Sequence, residues 1–382
     1  MRRKKEMKKP LLWLLIMLLT VSMIATFSLA GCKKEAAPAA EEAAPAEEVE
    51  EAAEEEAAPV EIPKIGYITR LAVPWWVVCE KGFSAAGSDF GFEPIIYDPP
   101  QLTVEDQVRV METWIAAGLD GIMIGPNDPA AVIGVINQAI DAGIPVVTGY
   151  GVDSPDSKRI VFVGYAANAL GTALGKGLLA SLKLQGIEPP GKISYHTGGM
   201  ASTEDVASYD SFKEVLEAAG FEVVEPVLDD GDAAKAVALA EETILLYPDL
   251  VGMLGFYDYT GPAIGKAVTD AGKIDKIAVQ AVGFIGEQIP YMESGAIDAM
   301  IDLVQYEGSR LGGEILYKLI QAGQEGWDGV MSEYPAVDKE LLLALGWVTY
   351  EKVDVEIWPE IAWIKTLEEW KSDFPVVWDI VK

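Results

Sequence analysis

The sequence contains very little cysteine and histidine. Its 382 residues include two cysteines, Cys32 and Cys79, and one histidine, His196. A disulfide framework is excluded because the predicted folded part holds only Cys79. A Cys/His metal cluster is also excluded, and a catalytic triad would have to be built around the single histidine. No nucleophile paired with a base is visible, so we expect neither an enzyme nor a metal site nor a cofactor.

Basic residues are also scarce. There are 29 lysines and arginines against 60 aspartates and glutamates, which gives a formal net charge of −31. Nucleic-acid binding depends on lysine and arginine meeting phosphates, so nucleic acid is excluded as a partner. A transcription factor of similar architecture would begin with a basic helix-turn-helix, which this chain lacks.

The first residues have the order of an export signal. A basic segment over residues 1–9 precedes an apolar run, and small residues lead to Cys32. This order predicts a signal peptide over residues 1–31. Leu29-Ala30-Gly31-Cys32 resembles the bacterial lipobox, which implies cleavage before Cys32 and a lipid on its thiol. The alternative is a retained membrane anchor with an incidental cysteine, and either interpretation predicts an exported, tethered protein at the bacterial cell envelope.

Residues 32–62 follow as an acidic segment of low complexity. Between residues 33 and 61 there are eleven glutamates and two lysines, with alanine and proline making up most of the rest. Such a segment has too little apolar surface to fold and too much like charge to collapse. It predicts a disordered tether, and a charged helix, the alternative, would still act as a spacer.

The remaining chain repeats one unit. Short apolar runs such as KIGYIT, DGIMIG and IPVVT alternate with amphipathic stretches of helical length, and the rhythm restarts at KISYHT. Apolar runs without polar alternation, separated by helices, are typical of parallel strands covered on both faces. Length favours two cores over one. The sequence therefore predicts an α/β fold with two doubly wound, Rossmann-like parallel-sheet lobes.

Aromatic residues follow many of the predicted strands. In open parallel sheets a ligand lies beyond the carboxyl ends of the strands, where these residues fall. A cleft lined by aromatic rings between two lobes would cover a ligand that neither lobe covers alone. The aromatic residues at these positions are Trp75, Trp76, Tyr150, Tyr165, Phe256, Tyr257, Tyr259 and Phe284.

Several motifs resemble the type I periplasmic binding proteins of the ribose-binding family, the solute receptors of ABC importers. They are PWW, GLDGIMIGPNDPAAVIGVINQAIDAGIPVVT, TGGMAS, YPDLVGMLGFYD and IAVQAVGF. The tail VEIWPEIAWIKTLEEWKSDF resembles the rhamnose- and autoinducer-2-binding branch. The resemblance implies chain crossovers near residues 165, 304 and 326 and a hinged closure. Lobe 1 would then hold 63–165 and 305–325, and lobe 2 would hold 166–304 and 326–382.

The resemblance also implies site residues. Trp75 and Trp76 align with paired aromatics that stack on a sugar, and Trp76 is expected slightly nearer the ligand. Arg70 falls near a lysine of the autoinducer-2 branch. The chain departs from the sugar binders at Tyr150-Gly151, at 206–208, at Tyr257 and at Ile285. The expected ligand-binding residues are Arg70, Trp75, Trp76, Tyr150, Asp153, Thr203, Asp205, Tyr257, Asp258, Phe284 and Gln305.

These features predict a monomeric solute-binding lipoprotein that delivers a small molecule to an ABC transporter permease. The expected ligand is a carbohydrate or sugar derivative. Because tryptophan and tyrosine faces also suit flat or cationic groups, a nucleoside, a heteroaromatic compound or a cation remains an alternative. A ligand-sensing partner of a chemoreceptor or sensor kinase is the alternative to transport.

Overall fold

A computed structural model describes residues 61–101, 103–150, 152–200, 202–283, 286–349 and 363–381. The predicted signal peptide, Cys32 and nearly all of the tether lie outside the described residues, as does Phe284. Among the helices within these ranges, none combines the length and apolar character needed to cross a bilayer.

Fourteen β-strands occur in the described residues, and most are short, apolar and buried, as the repeated apolar runs predict. They are β1 (Lys64–Ile68), β2 (Glu93–Tyr97), β3 (Gly121–Ile124), β4 (Val146–Gly149), β5 (Val161–Gly164), β6 (Lys192–Thr197), β7 (Glu222–Val223), β8 (Val227–Leu228), β9 (Leu250–Gly255), β10 (Ala278–Val282), β11 (Ala299–Asp302), β12 (Glu340–Leu342), β13 (Gly346–Thr349) and β14 (Trp363–Thr366).

Twelve α-helices accompany these strands in the same described ranges. They are α1 (Pro74–Phe90), α2 (Val104–Ala117), α3 (Ile133–Asp141), α4 (Ala167–Leu184), α5 (Thr203–Ala218), α6 (Ala233–Leu246), α7 (Thr260–Asp270), α8 (Ile289–Glu293), α9 (Gln305–Ala322), α10 (Trp327–Met331), α11 (Leu367–Asp373) and α12 (Pro375–Val381).

The strands form two sheets. The first has the order β12-β5-β4-β3-β1-β2 and is parallel throughout. The second has the order β14-β13-β11-β10-β9-β6-β7, with β8 also pairing with β6, and its only described antiparallel pair is β11 with β13. Helices between successive strands cover the sheets, so the predicted fold of two doubly wound α/β lobes is confirmed.

Three crossovers join the lobes. The chain passes from β5 to α4 near Tyr165 and from β11 to α9 near Val304, as the sequence indicates. The third lies between β12 and β13, beyond the expected position near residue 326. Helix α10 and strand β12 stay with the first lobe because Trp327 is buried in its core and β12 pairs with β5.

The C-terminal segment adds to the second lobe and also reaches the first. Strand β14 pairs in parallel with β13. Helix α11 begins with a capping box between Thr366 and Glu369, which satisfies backbone donors at its first turn. Helix α12 contacts α1 of the first lobe. Buried Val78 on α1 belongs to the same apolar cluster as Trp370 and Val377 of the tail. The tail therefore touches both lobes.

Candidate functional site

Trp75 lies between the two lobes. Its ring packs edge-on against Trp76, with centroids 4.8 Å apart, and against Tyr150 at 5.9 Å. It contacts the apolar cores of both lobes and remains partly exposed. On the opposite lobe, a Cβ built on Gly283 would lie 3.1 Å from Cδ1 and Nε1 of the Trp75 ring. Trp75 thus reaches from the start of α1 to the end of β10.

Trp76 belongs to the core of the first lobe. Only 6% of its surface is exposed, and its ring approaches Gly125 at the end of β3. Successive residues of a helix point about 100° apart, so only one of two adjacent tryptophans faces the cleft. The geometry therefore reverses the expected order and places Trp75, rather than Trp76, toward the opposite lobe.

Arg70 is held at the end of β1 by a polar network. Its Nε donates to Asn127 Oδ1 at 3.0 Å, and Asn127 Nδ2 returns a bond to the Arg70 carbonyl at 3.3 Å. Gln107 fixes Asn127 in turn, because its Oε1 accepts from the Asn127 backbone N–H at 2.8 Å. The two terminal amino groups of the guanidinium make no hydrogen bond to other described residues, which leaves them available to a ligand.

Tyr257 and Asp205 stand on the second lobe close to Arg70. Burial, together with the negative charge of the nearby Asp205 carboxylate, raises the pKa of Tyr257 to about 12, while Arg70 opposes the shift. Burial likewise raises the pKa of Tyr165 at the first crossover, and Arg70 again opposes it. Arg70, Tyr165, Asp205 and Tyr257 therefore lie close enough to influence one another, and both lobes contribute to the group.

Tyr259 and Asp229 extend this region in the second lobe. The rings of Tyr257 and Tyr259 stack at 6.1 Å with planes 8° apart. The Tyr259 hydroxyl donates to Asp229 Oδ1 at 2.6 Å. Asp229 was not predicted as a site residue, although its position directly after β8 is the same signal that identified the aromatic strand ends.

Gln305 is the first residue of α9, directly after the second crossover. Only 2% of its surface is exposed, and neither its amide oxygen nor its amide nitrogen has a partner among the described residues. An unpaired buried polar group costs on the order of 1–3 kcal/mol. A ligand that supplied an acceptor and a donor here would remove that cost.

Tyr150, a predicted ligand-binding residue, packs against the second crossover. The residue is fully buried, and its hydroxyl donates to the carbonyls of Val304 at 2.7 Å and Leu303 at 3.1 Å. Its backbone has a φ of 42°, a left-handed conformation that is uncommon for residues other than glycine. The side chain therefore ties the first lobe to the second crossover.

Asp153 is committed to a buried arginine. Its Oδ1 accepts from Arg159 Nε at 2.5 Å and from Thr148 Oγ1 at 2.8 Å. Its Oδ2 accepts from Arg159 Nη2. Arg159 Nη1 also donates to the Lys339 carbonyl at 2.9 Å, which secures the segment before β12. Asp153 thus stabilises the first lobe and has little capacity left for a ligand.

The remaining predicted residues differ in their surroundings. Thr203 is exposed and its hydroxyl donates to Glu204 at 3.0 Å. Asp258 accepts from the Tyr259 backbone N–H at 3.0 Å, and burial raises the pKa of its carboxyl. His196 lies buried in β6 with its Nε2 3.1 Å from Ser194 Oγ, and burial lowers its pKa to about 3. His196 is therefore neutral and structural.

Glu307 provides a test of the hinge by pH. Burial raises its pKa from the ordinary 4.5 to about 7, so the folded protein binds this proton more tightly than the unfolded chain does. Stability should fall as the pH rises from about 4.5 to about 7 and stay low above that window. The melting temperature of Glu307→Gln should therefore depend less on pH between about 5 and about 8 than that of the wild type.

The titration of His196 contributes equally to the wild type and to Glu307→Gln, so it cancels when their melting profiles are compared. Identical melting profiles across the window would show that partial burial beside the second crossover does not raise the pKa of Glu307.

Within the described ranges, no group of three or more histidine, cysteine, aspartate or glutamate side chains is placed to hold a metal ion. The polar groups around Trp75 can form hydrogen bonds and stack on a flat apolar face.

Comparison with known proteins gives consistent matches. The family model of the periplasmic binding protein domain matches residues 68–325. The D-ribose/D-allose-binding protein of Pseudomonas aeruginosa is 24% identical over 277 residues, which cover 71% of this chain and 87% of that protein. The ribose import binding protein RbsB of Salmonella typhimurium is 23% identical over 280 residues, which cover 72% of this chain and 88% of that protein.

Solved structures agree in fold. An ABC transporter solute-binding protein from Burkholderia graminis, in complex with D-arabinose, superposes with a TM-score of 0.67 at 24% identity and covers 75% of this chain and 95% of that one. A periplasmic solute-binding protein from Actinobacillus succinogenes with bound D-allose gives 0.66 at 18% identity, covering 77% and 98%.

Proposed function

Because the chain belongs to the periplasmic binding protein family, we propose that it is a receptor that captures a carbohydrate or sugar derivative between its lobes. The main support for this proposal is the position of Trp75. Its ring belongs to the first lobe and packs against the second lobe at Gly283, just after β10. The ligand would stack on this ring and bridge Arg70 and Gln305 to Asp205 and Tyr257.

The chemistry of this set suits a sugar. A pyranose or furanose has an apolar C–H face for an aromatic ring and hydroxyls that both donate and accept. Arg70 offers donors, Asp205 offers acceptors, and the Gln305 amide offers one of each. The similar proteins described as binding ribose, allose or arabinose support the same class, and as transport proteins they favour a binding protein over an enzyme.

A cationic ligand is the second candidate. The stacked rings of Tyr257 and Tyr259 stand beside the carboxylates of Asp205 and Asp229. Ring faces and carboxylates together favour a positively charged group. An amino sugar would satisfy both candidates, whereas a quaternary amine or a nucleoside would satisfy only part of the polar set.

A thermal-shift panel separates these classes. We expect one of D-ribose, D-allose, D-arabinose or D-fucose, or an amino sugar, to raise the melting temperature, because a ligand that binds only the folded state stabilises it. Shifts produced only by nucleosides or by quaternary amines such as choline would contradict the carbohydrate proposal and favour the alternative class.

We further propose that the receptor is a monomeric lipoprotein that delivers its ligand to an ABC transporter permease. The lipobox-like sequence before Cys32 and the acidic segment after it support a mature chain held at the cell envelope. Delivery to a permease rests on the family, and signalling through a chemoreceptor or sensor kinase is the alternative use of the same closed form.

Replacing Cys32 with alanine should release or mislocalise the protein without changing its affinity for ligand. The thiol is the proposed lipid site, and residues 33–61 are too polar to anchor the chain by themselves. Fractionation of cells followed by calorimetry on the released protein measures both quantities. A weaker affinity of Cys32→Ala, or a wild-type chain that carries no lipid on Cys32, would contradict a passive lipid tether.

A further inference from the structure

The C-terminal tail makes a direct hydrogen bond to the second crossover. Trp370 of α11 is fully buried, and its indole Nε1 donates to Asp302 Oδ2 at 2.6 Å. The other carboxylate oxygen of Asp302 accepts from the Val304 backbone N–H at 2.8 Å. One buried carboxylate therefore connects the tail to the backbone that leads into α9.

Val304 has a backbone conformation that requires such support. Its φ is 48° and its ψ is 40°, in the left-handed region. This region is unfavourable for a β-branched residue, and such residues persist only where the surroundings enforce the conformation. Asp302 holds the Val304 N–H, and the Tyr150 hydroxyl holds its carbonyl. The crossover is thus fixed from the tail on one side and from the first lobe on the other.

Gln305 comes directly after this constrained residue. Its side-chain amide is buried and unpaired, so its position depends on the backbone that carries it rather than on bonds of its own. The tail also supports α1, the helix that carries Trp75 in its first turn, through the contact between α12 and α1. Two elements of the proposed binding site therefore rest on the tail, which lies beyond residue 325, where the match to the family ends.

We propose that Trp370 and Asp302 are positioning residues for the ligand: their hydrogen bond fixes the left-handed crossover at Val304 and so presents the Gln305 amide to the sugar. The inference rests on the proposed role of Gln305 in binding. The tail then acts as part of the binding apparatus, although it is remote from the ligand.

Trp370→Phe is the test variant because it keeps an aromatic ring in the core and removes the indole donor, and the control below accounts for the lost packing. Leu367→Ala is the matched control, since Leu367 is a buried tail residue, 2% exposed, whose aliphatic side chain cannot form a hydrogen bond to the crossover. Both should lower the melting temperature. Only Trp370→Phe should weaken binding of the strongest sugar of the panel, by about fivefold, as expected for a displaced hydrogen-bonding group.

A double-mutant cycle identifies the route of the effect. In a Gln305→Ala background, Trp370→Phe should cause no further loss of affinity, because the group that it positions is absent. If Gln305→Ala leaves affinity unchanged, the proposed role of Gln305 fails. If Gln305→Ala weakens binding and Trp370→Phe does not, the positioning role alone is overturned.

Hydrogen exchange provides a measurement that needs no ligand. The crossover peptide containing Val304 should exchange faster in Trp370→Phe than in the wild type, whereas Leu367→Ala should leave it unchanged. Equal exchange in Trp370→Phe and the wild type would overturn the inference even if no sugar of the panel binds. This readout therefore separates failure of the positioning role from failure of the carbohydrate proposal.

Discussion

Replacing Asp153 with alanine is expected to lower the free energy of unfolding by about 3–5 kcal/mol and to leave ligand affinity unchanged. The side chain of Arg159 is 2% exposed, and Asp153 supplies both of its carboxylate partners. Removing the carboxylate would leave a buried guanidinium without its counter-charge. It would also loosen the attachment of Lys339 and hence of β12.

A neighbouring surface ion pair provides the control. Lys158 and Asp141 form a similar contact, but their side chains are 53% and 61% exposed. Asp141→Ala should therefore cost about 1 kcal/mol or less. Chemical denaturation and calorimetry on both variants make the comparison. A small loss of stability in Asp153→Ala together with weaker binding would show that Asp153 serves the ligand, as the sequence first indicated.

Replacing Trp75 with alanine should weaken ligand binding by about tenfold to a hundredfold, since each tenfold step corresponds to about 1.4 kcal/mol of lost stacking and burial. The ring is partly exposed and stands between the lobes, so the empty protein should tolerate its loss better than the loss of a core residue.

Trp76→Ala is the matched control at the adjacent position. Trp76 lies in the core of the first lobe, with 6% of its surface exposed. Its replacement by alanine should lower the free energy of unfolding by about 3–5 kcal/mol. Trp75→Ala should therefore lose mainly ligand affinity, whereas Trp76→Ala should lose mainly stability. Equal stability losses with unchanged affinity in both would identify the pair as ordinary core packing.

The fold was largely predictable because its signal is local. Buried parallel strands require continuous apolar runs, and these runs alternate with helical stretches throughout the chain. The third crossover, which the family resemblance implies near residue 326, lies farther along the chain because β12 stays with the first sheet. Strand β12 is only Glu340–Leu342, and two of its three residues are not buried, so no apolar run marks it. Its place in the first sheet comes from pairing with β5, a contact distant in sequence.

The site was only partly predictable. Positions after predicted strands show which residues lie at the edge of a sheet, but they do not show which side chains bond to one another. Arg70, Asp205 and Tyr257 come after different strands and lie close together in the structure. Tyr150 and Asp153 both follow strand β4, but neither is free for a ligand. Asp153 is paired with Arg159, and the Tyr150 hydroxyl is bonded to carbonyls of the second crossover. These pairings depend on contacts between residues distant in sequence and on the left-handed backbone at Val304. No short sequence motif predicts either of them.

The most direct test is a crystal structure of the protein with the strongest sugar of the panel. The account predicts the sugar between the lobes, with one face on Trp75 and its hydroxyls bonded to Arg70, Asp205 and Gln305. A sugar bound elsewhere, or one bound in the cleft without contact to Trp75, would contradict it.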